Sequence, residues 1–224
     1  MIGSVVDHHQ TPMSGLADDI CHRDTLTTMT RGDTDNPVVL SRIYTRTGDD
    51  GTTALGDRSR TRKTDPRLVA YADVEEANAA IGVALATGEL GEDVAAVLKR
   101  VQNDLFDVGA DLCTPVTENP EFPPLRVTEP YITWLEEQCD RFNASLKPLR
   151  SFILPGGRPG TAFLHLARTV VRRAERSAWA ALEAYDDVNP LTAKYLNRLS
   201  DLLFILCRVA SAGEEILWRP GGDR

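Results

Sequence analysis

The densest chemistry in this 224-residue chain lies in the stretch ARTVVRRAERS, where Arg168, Arg172, Glu175 and Arg176 recur at i, i+4, i+7 and i+8, with Arg173 beside them. At helical spacing these side chains share one face. The four cations repel one another, and all are arginine, although lysine would serve a merely wet surface equally well. Guanidinium forks grip phosphate in bidentate fashion, so the face reads as an anion site, with Glu175 its sole carboxylate. Salt bridges to neighbouring helices are the competing reading.

Three further segments carry polar groups in suggestive places. In NPLTAKYLNRLSDLLFILCRVAS, Asn197, Asp201 and Arg208 fall on one side of an otherwise apolar helix, where they would orient an arginine or a ribose, or join two helices. The loop TRTGDDGTTALGD (45–57) spaces Gly51 and Gly56 as a P-loop does, but Asp57 stands where lysine is required and no strand–helix unit follows. A phosphate nest of another kind stays open, with glycines, threonines and Lys63 as donors. SFILPGG joins the Phe152-Ile153-Leu154 triplet to a Pro-Gly-Gly turn, either tucking into the core or presenting an aromatic ring to a ligand. Metal and nucleophile constellations are poor: there is no HxxxH or ExxH pair, and His165, the only histidine outside residues 1–40, reads as a packing residue.

The elements that must position these groups are helices. Asp65-Pro66 reads as an N-cap followed by the first helical residue of a segment that Gly88 ends. A second helix spans about 92–112 on the stripe Val94, Val97, Leu98, Val101, Leu105 and Val108. Four prolines make 113–127 a loop. A third helix runs from Thr128 or Glu129 to about Leu146, a fourth from about Thr161 to Tyr185, and a fifth from Asn189-Pro190 to near Gly213. With almost no strand signal, the expectation is an all-α, up-and-down five-helix bundle with one core and no repeat.

Composition agrees. Hydrophobic residues make up 42% and charged residues 26% of the chain, which excludes collagen-like, wholly disordered and disulfide-scaffold classes. The net charge of −8 argues against a general nucleic-acid binder, and no run is long and apolar enough to span a membrane. Four scattered cysteines and the lack of a secretory leader or transit peptide point to the cytoplasm. Residues 1–40, with six acids, two bases and no apolar periodicity, read as a flexible tail; residues 41–224 form the domain. Within it, 41–65 hold six threonines, three glycines and six Lys/Arg against four acids.

In this order the segments IYTRTGDDGTTALGD (43–57), KTDPRLVAYADVEEANAAIG (63–82), VQNDLFDVGADL (101–112), FILPGG (152–157), ARTVVRRAERS (167–177) and NPLTAKYLNRLSDLLFILCR (189–208) resemble the propanediol-utilisation-type (PduO-like) ATP:cob(I)alamin adenosyltransferases. The resemblance implies a homotrimer of five-helix bundles with active sites between subunits. It implies ATP as co-substrate with Mg2+, and transfer of the 5′-deoxyadenosyl group to cobalt(I) of a corrinoid with release of triphosphate. It carries ATP binding, with the loop at 43–63, to Thr45, Arg46, Thr47, Gly48, Thr53, Lys63, Arg172, Arg173, Glu175, Arg176 and Asn197. Arg172 and Phe152 become catalytic, Phe152 as the aromatic under the corrin ring. Arg168 becomes the arginine that pairs with an acid across the interface, aligned here on Glu75 where members often carry Asp. The implied partners are an adenosylcobalamin-dependent mutase or a reductase. Where the family loop commonly has lysine near Arg46 and Asp50, this chain has Arg and Asp. The alternatives are a non-catalytic ATP- or corrinoid-binding regulator or carrier on the same fold, and a structural helical oligomer.

Overall fold

The computed structural model describes residues 44–120 and 123–223. The expected tail at 1–40 lies outside the described residues. Five helices follow a short hairpin: α1 (Pro66–Thr87), α2 (Glu92–Leu112), α3 (Glu129–Asn143), α4 (Pro159–Ala184) and α5 (Pro190–Ser211). Their starts obey local chemistry. Asp65 caps α1, its carboxylate accepting from the Arg67 amide at 2.8 Å, and Asn189 caps α5 by accepting from the Leu191 amide at 3.1 Å. In each case proline follows, where its missing N–H costs nothing.

α4 packs along both α1 and α5, α2 lies against α1, and α3 lies against α5. One continuous core results, and every residue of the α2 stripe is buried in it. Its largest fully buried side chains include Tyr195, Ile81, Leu98, Leu105 and Leu199, each stabilising the fold by about 1.5–3 kcal/mol relative to exposure.

The direction of α4 against α1 follows from contacts at both ends. At one end Tyr185 donates to Asp65, 2.8 Å away. At the other, Gly88 and Gly160 meet so closely that a Cβ on Gly88 would sit 2.8 Å from Gly160 Cα, and one on Gly160 would sit 2.3 Å from the Gly88 carbonyl oxygen. Only glycine fits at this crossing. The two helices therefore run antiparallel.

Three expectations change. The loop contains an antiparallel hairpin, β1 (Thr52–Ala54) with β2 (Arg60–Arg62), paired Thr53 to Thr61. Strands of three residues are too short to show alternation. α3 stops at Asn143 rather than Leu146, because Ser145 turns its hydroxyl onto the Phe142 carbonyl and Pro148 disfavours helix at the residue before it. α4 starts at Pro159, not Thr161, the proline occupying its first turn.

Candidate active site

On α4 the arginines separate into two kinds. Arg173 turns toward α1: its Nε donates to Asp73 Oδ1 at 3.1 Å and a terminal nitrogen pairs with Glu76. Ser177, one turn on, donates to the other Asp73 oxygen at 2.5 Å. The salt-bridge reading of the sequence therefore holds for Arg173. The α4 helix-body ion pairs all run through it, while Arg172 and Arg176 are exposed to solvent. Arg168 is half-buried, its guanidinium 5.3 Å from the centre of the Phe204 ring on α5, and Glu75 is exposed.

Glu175 and Asn197 are brought together. The Asn197 amide donates to Glu175 Oε1 at 3.0 Å, tying α5 to α4 beside the exposed arginines. The expected trio of Asn197, Asp201 and Arg208 is not one cluster. Asp201 pairs with Arg198 at 3.0 Å, and buried Arg208 pairs with Glu215 at 3.2 Å and donates to the Lys147 carbonyl. Helical spacing put the three on one side, but their partners come from different segments.

The loop is a compact turn held from within. Asp50 accepts from the Thr52 amide at 3.0 Å and its hydroxyl at 2.7 Å, which lowers the Asp50 pKa below the usual carboxylate value. Thr45 and Thr47 share a hydrogen bond of 3.0 Å, and Arg60 donates to the Thr47 carbonyl at 2.8 Å. Arg46 adopts the left-handed backbone, φ 63°, with its guanidinium over the Tyr44 ring. At Gly48 a Cβ would lie 3.0 Å from Lys63 Nζ and 3.0 Å from the Thr52 carbonyl oxygen, so the lysine ammonium rests on bare backbone. Half-buried Thr53 sits in β1. Asp65 ties the hairpin to the bundle by accepting from Thr61 at 2.6 Å and from Tyr185. Burial raises the Asp65 pKa, but those hydrogen bonds and the Arg67 amide outweigh it, and the carboxyl titrates below its usual value. This anchor lies at the C-terminal end of α4, nine residues or about 13 Å along the helix from Arg176.

Phe152 is 79% exposed, so the Phe-Ile-Leu triplet presents its ring outward rather than tucking it into the core. Its segment is pinned by residues near the C-terminus. Trp218 N donates to the Phe152 carbonyl at 2.7 Å, Leu154 N donates to the Ile216 carbonyl at 2.8 Å, and the Trp218 ring meets the Phe152 ring edge-on at 6.1 Å. Sequence reading missed this partner, as it missed Asp73 and Glu76. An exposed tryptophan after the last helix, and two acids on α1, were the signals available.

Comparison with known proteins then places the chain. Residues 43–210 match the family model for cobalamin adenosyltransferase, and the chain belongs to that family. A corrinoid adenosyltransferase of Mycobacterium tuberculosis is 65% identical over 188 residues, covering 84% of this chain and 97% of that protein. A corrinoid adenosyltransferase of Bacillus subtilis is 41% identical, covering 76% of this chain and 87% of that one. Among solved structures, a phenylalanine-to-alanine variant of a PduO-type ATP:corrinoid adenosyltransferase from Lactobacillus reuteri, complexed with cobalamin and ATP, superposes with a TM-score of 0.69 at 33% identity. It covers 80% of this chain and all of that one. The family expected from the motifs is borne out, and so is a mostly helical fold of five helices that matches the PduO-type adenosyltransferase structures.

Proposed function

We propose that this chain transfers the 5′-deoxyadenosyl group of ATP to cobalt(I) of a reduced corrinoid, giving adenosylcobalamin and triphosphate. The observation that carries the reading is the exposed pair Arg172 and Arg176 beside the Glu175–Asn197 contact, in a chain with close relatives named for this chemistry. Cobalt(I) is itself a strong nucleophile, so the protein need not supply a general base. Its tasks are to align C5′ with the cobalt and to neutralise the leaving triphosphate.

Arg172 and Arg176 have their guanidinium forks turned to solvent and suit the phosphate oxygens. Arg173 brings fewer donors, having spent Nε and a terminal nitrogen on α1, and it fixes the rotation of α4 that aims its neighbours. Asn197 holds Glu175 in place beside the phosphate face. Thr45, Arg46, Thr47, Gly48, Thr53 and Lys63 form the second wall, with Lys63 and the backbone at Gly48 facing the triphosphate.

That wall is anchored about 13 Å along α4 from Arg176, which supports a site completed by the loop of a second copy. We therefore place the enzyme as a homotrimer of up-and-down bundles, with Arg168 pairing across the interface with Glu75. Exposed Leu166 and Trp179 on α4 and Val69 and Val83 on α1 give that interface apolar surface. The antiparallel α1 and α4 and the four-residue link between α1 and α2 suit the up-and-down order.

Magnesium fits only as a passenger of ATP. Among the described residues no three His, Cys, Asp or Glu converge as a cation site. Glu175 is the carboxylate beside the phosphate face that would hold the ion, which supplies charge neutralisation when bound. Phe152, exposed and pinned by Trp218, offers an apolar ring to the corrin face and shuts out a lower axial ligand, easing reduction of cobalt(II). The product then passes to an adenosylcobalamin-dependent mutase, with a reductase supplying the electron. No helix is long and apolar enough to cross a membrane among the described residues. The free thiols of Cys113 and Cys207, both buried, suit a cytoplasmic setting.

The test is triphosphate release from ATP with and without reduced corrinoid. Release that requires the corrinoid supports transfer; ATP-dependent thermal stabilisation without any release would make the chain a regulator.

A further inference from the structure

The hairpin that leads to Lys63 is fixed to the bundle at its two ends by different means. Its closed end is held through the backbone: Gly56 N donates to the Cys113 carbonyl at 2.8 Å, and Leu55 beside it is buried. A Cβ on Gly56 would lie 2.0 Å from Thr114 Oγ1, so the hairpin meets the end of α2 with no room for a side chain. At the open end Lys63 N donates to the Gly51 carbonyl at 2.9 Å, and the Lys63 ammonium lies against Gly48. That end is tied to the bundle by side chains.

Asp65 divides its two oxygens between two tasks. Oδ1 accepts from the Arg67 amide at 2.8 Å and starts α1. Oδ2 accepts from the Thr61 hydroxyl at 2.6 Å and from the Tyr185 hydroxyl at 2.8 Å. The cap of α1 uses Oδ1 alone, so the bonds at Oδ2 serve the hairpin and not the start of the helix. Thr61 and Asp65 flank Lys63 in the chain, and Asp65 N donates to the Arg62 carbonyl at 3.0 Å to close the turn between them. Tyr185 is the last link. It ends α4, and its half-buried ring has the Arg67 guanidinium 4.9 Å from its centre. Arg67 is 2% exposed and pairs in turn with Asp187. The bundle therefore sets the ring, and what the hydroxyl adds is a hold on Asp65.

A ligand that binds a mobile loop must first order it, and a loop ordered in advance avoids that loss of affinity. We propose that Tyr185, acting through Asp65 and Thr61, is a positioning residue that sets Lys63 for the triphosphate. The inference rests on the adenosyltransferase reading, in which Lys63 faces the leaving group. Tyr185 and Asp65 need not touch the nucleotide; both act on the lysine between Thr61 and Asp65.

The experiment measures dissociation constants for inorganic triphosphate by titration calorimetry, with melting curves alongside. The proteins are wild type, Tyr185→Phe, Lys63→Ala and the double variant. Tyr185→Phe keeps the ring over Arg67 and removes only the hydroxyl; it should weaken triphosphate about fivefold. Lys63→Ala should weaken it about tenfold. The double variant should bind no more weakly than Lys63→Ala, because a residue that acts through the lysine has nothing left to position. Thr61→Val breaks the same link from the hairpin side and should reproduce Tyr185→Phe, whereas Thr61→Ser should bind as wild type does. Unchanged affinity in Tyr185→Phe, or a loss that persists in full on the Lys63→Ala background, overturns the positioning role and leaves the adenosyltransferase reading intact. Wild-type affinity in Lys63→Ala removes the lysine from the phosphate site and the inference with it. Should Tyr185→Phe not fold, Thr61→Val takes its place in the same cycle, with the same outcomes.

Discussion

Asn197 Nδ2 lies 3.0 Å from Glu175 Oε1, so the only carboxylate within the arginine face is held from α5 and not by the arginines around it. Arg172 and Arg176 stay exposed to solvent, where the proposed site has them meet the triphosphate. Were Glu175 released, it would compete with triphosphate for the same guanidinium groups. Asn197→Ala should accordingly weaken ATP by about tenfold, the effect of one lost hydrogen bond plus a mobile acid. Titration calorimetry with ATP alone measures it; unchanged affinity would leave the contact with no part in binding.

In the proposed mechanism Arg172 carries the catalytic load on this face. Arg172→Ala is expected to lower turnover by roughly 10²–10³, the usual loss on removing one preorganised donor to a developing charge. Arg172 is exposed, so the melting temperature should hold. Near-wild-type turnover would take α4 out of the catalytic account.

A substitution at Phe152 separates the proposed corrin contact from stability. Because its ring is exposed and touches Trp218 only edge-on, Phe152→Ala should cost about 1 kcal/mol or less, against about 3–5 kcal/mol for a buried phenylalanine. The visible and magnetic spectra of cobalt(II) cobalamin bound with ATP should shift to the five-coordinate form. A mutant that melts early yet keeps the four-coordinate spectrum would make the ring a packing residue.

The proposed trimer gives Arg168 a role in assembly. Arg168→Ala should weaken the trimer, with a penalty on the order of 3–5 kcal/mol if its partner is left buried and unmatched. Sedimentation at dilute concentration reads this out. A persistent trimer with unchanged ATP affinity would show that the Arg168 guanidinium serves only its contact with Phe204.

A pH effect originates away from the site. Asp104 is 7% exposed, and burial raises its pKa from 3.8 to about 6, opposed by the Arg100 charge and by the hydrogen bond from Tyr195. The native state thus favours the protonated acid more than the unfolded chain does, and the stability it confers is lost as pH rises from about 4 through 6. The loss is on the order of 2–3 kcal/mol. Asp104→Asn should flatten this slope and raise the melting temperature above pH 6. Parallel melting curves for the two proteins from pH 4 to 8 would contradict it.

Much of this architecture was legible from local signals. Asp65-Pro66 and Asn189-Pro190 announce α1 and α5 because cap chemistry is contained within three residues. The α2 stripe announces its burial because periodicity is a property of a single helix. What stayed hidden is pairing at long range. The bridge between Ile153 and Leu217 joins segments 64 residues apart, and the Arg173–Asp73 contact joins residues 100 apart. Spacing along one helix shows that Arg172, Arg173 and Arg176 share a face, but which of them meets α1 depends on how α4 is rotated against it. For the same reason Arg208 looked like a companion of Asn197 until its partner Glu215 came into view.

The central claim is transfer of the adenosyl group with triphosphate leaving intact. Its most direct test is anaerobic, single-turnover mixing of chemically generated cob(I)alamin with the protein and ATP. The cobalt spectrum and the phosphorus products are followed together. The account predicts loss of cob(I)alamin, appearance of adenosylcobalamin with its new Co–C bond, and one triphosphate for each cobalt alkylated. Persistence of cob(I)alamin in the presence of bound ATP, or consumption of ATP to ADP and phosphate without a Co–C bond, would contradict it.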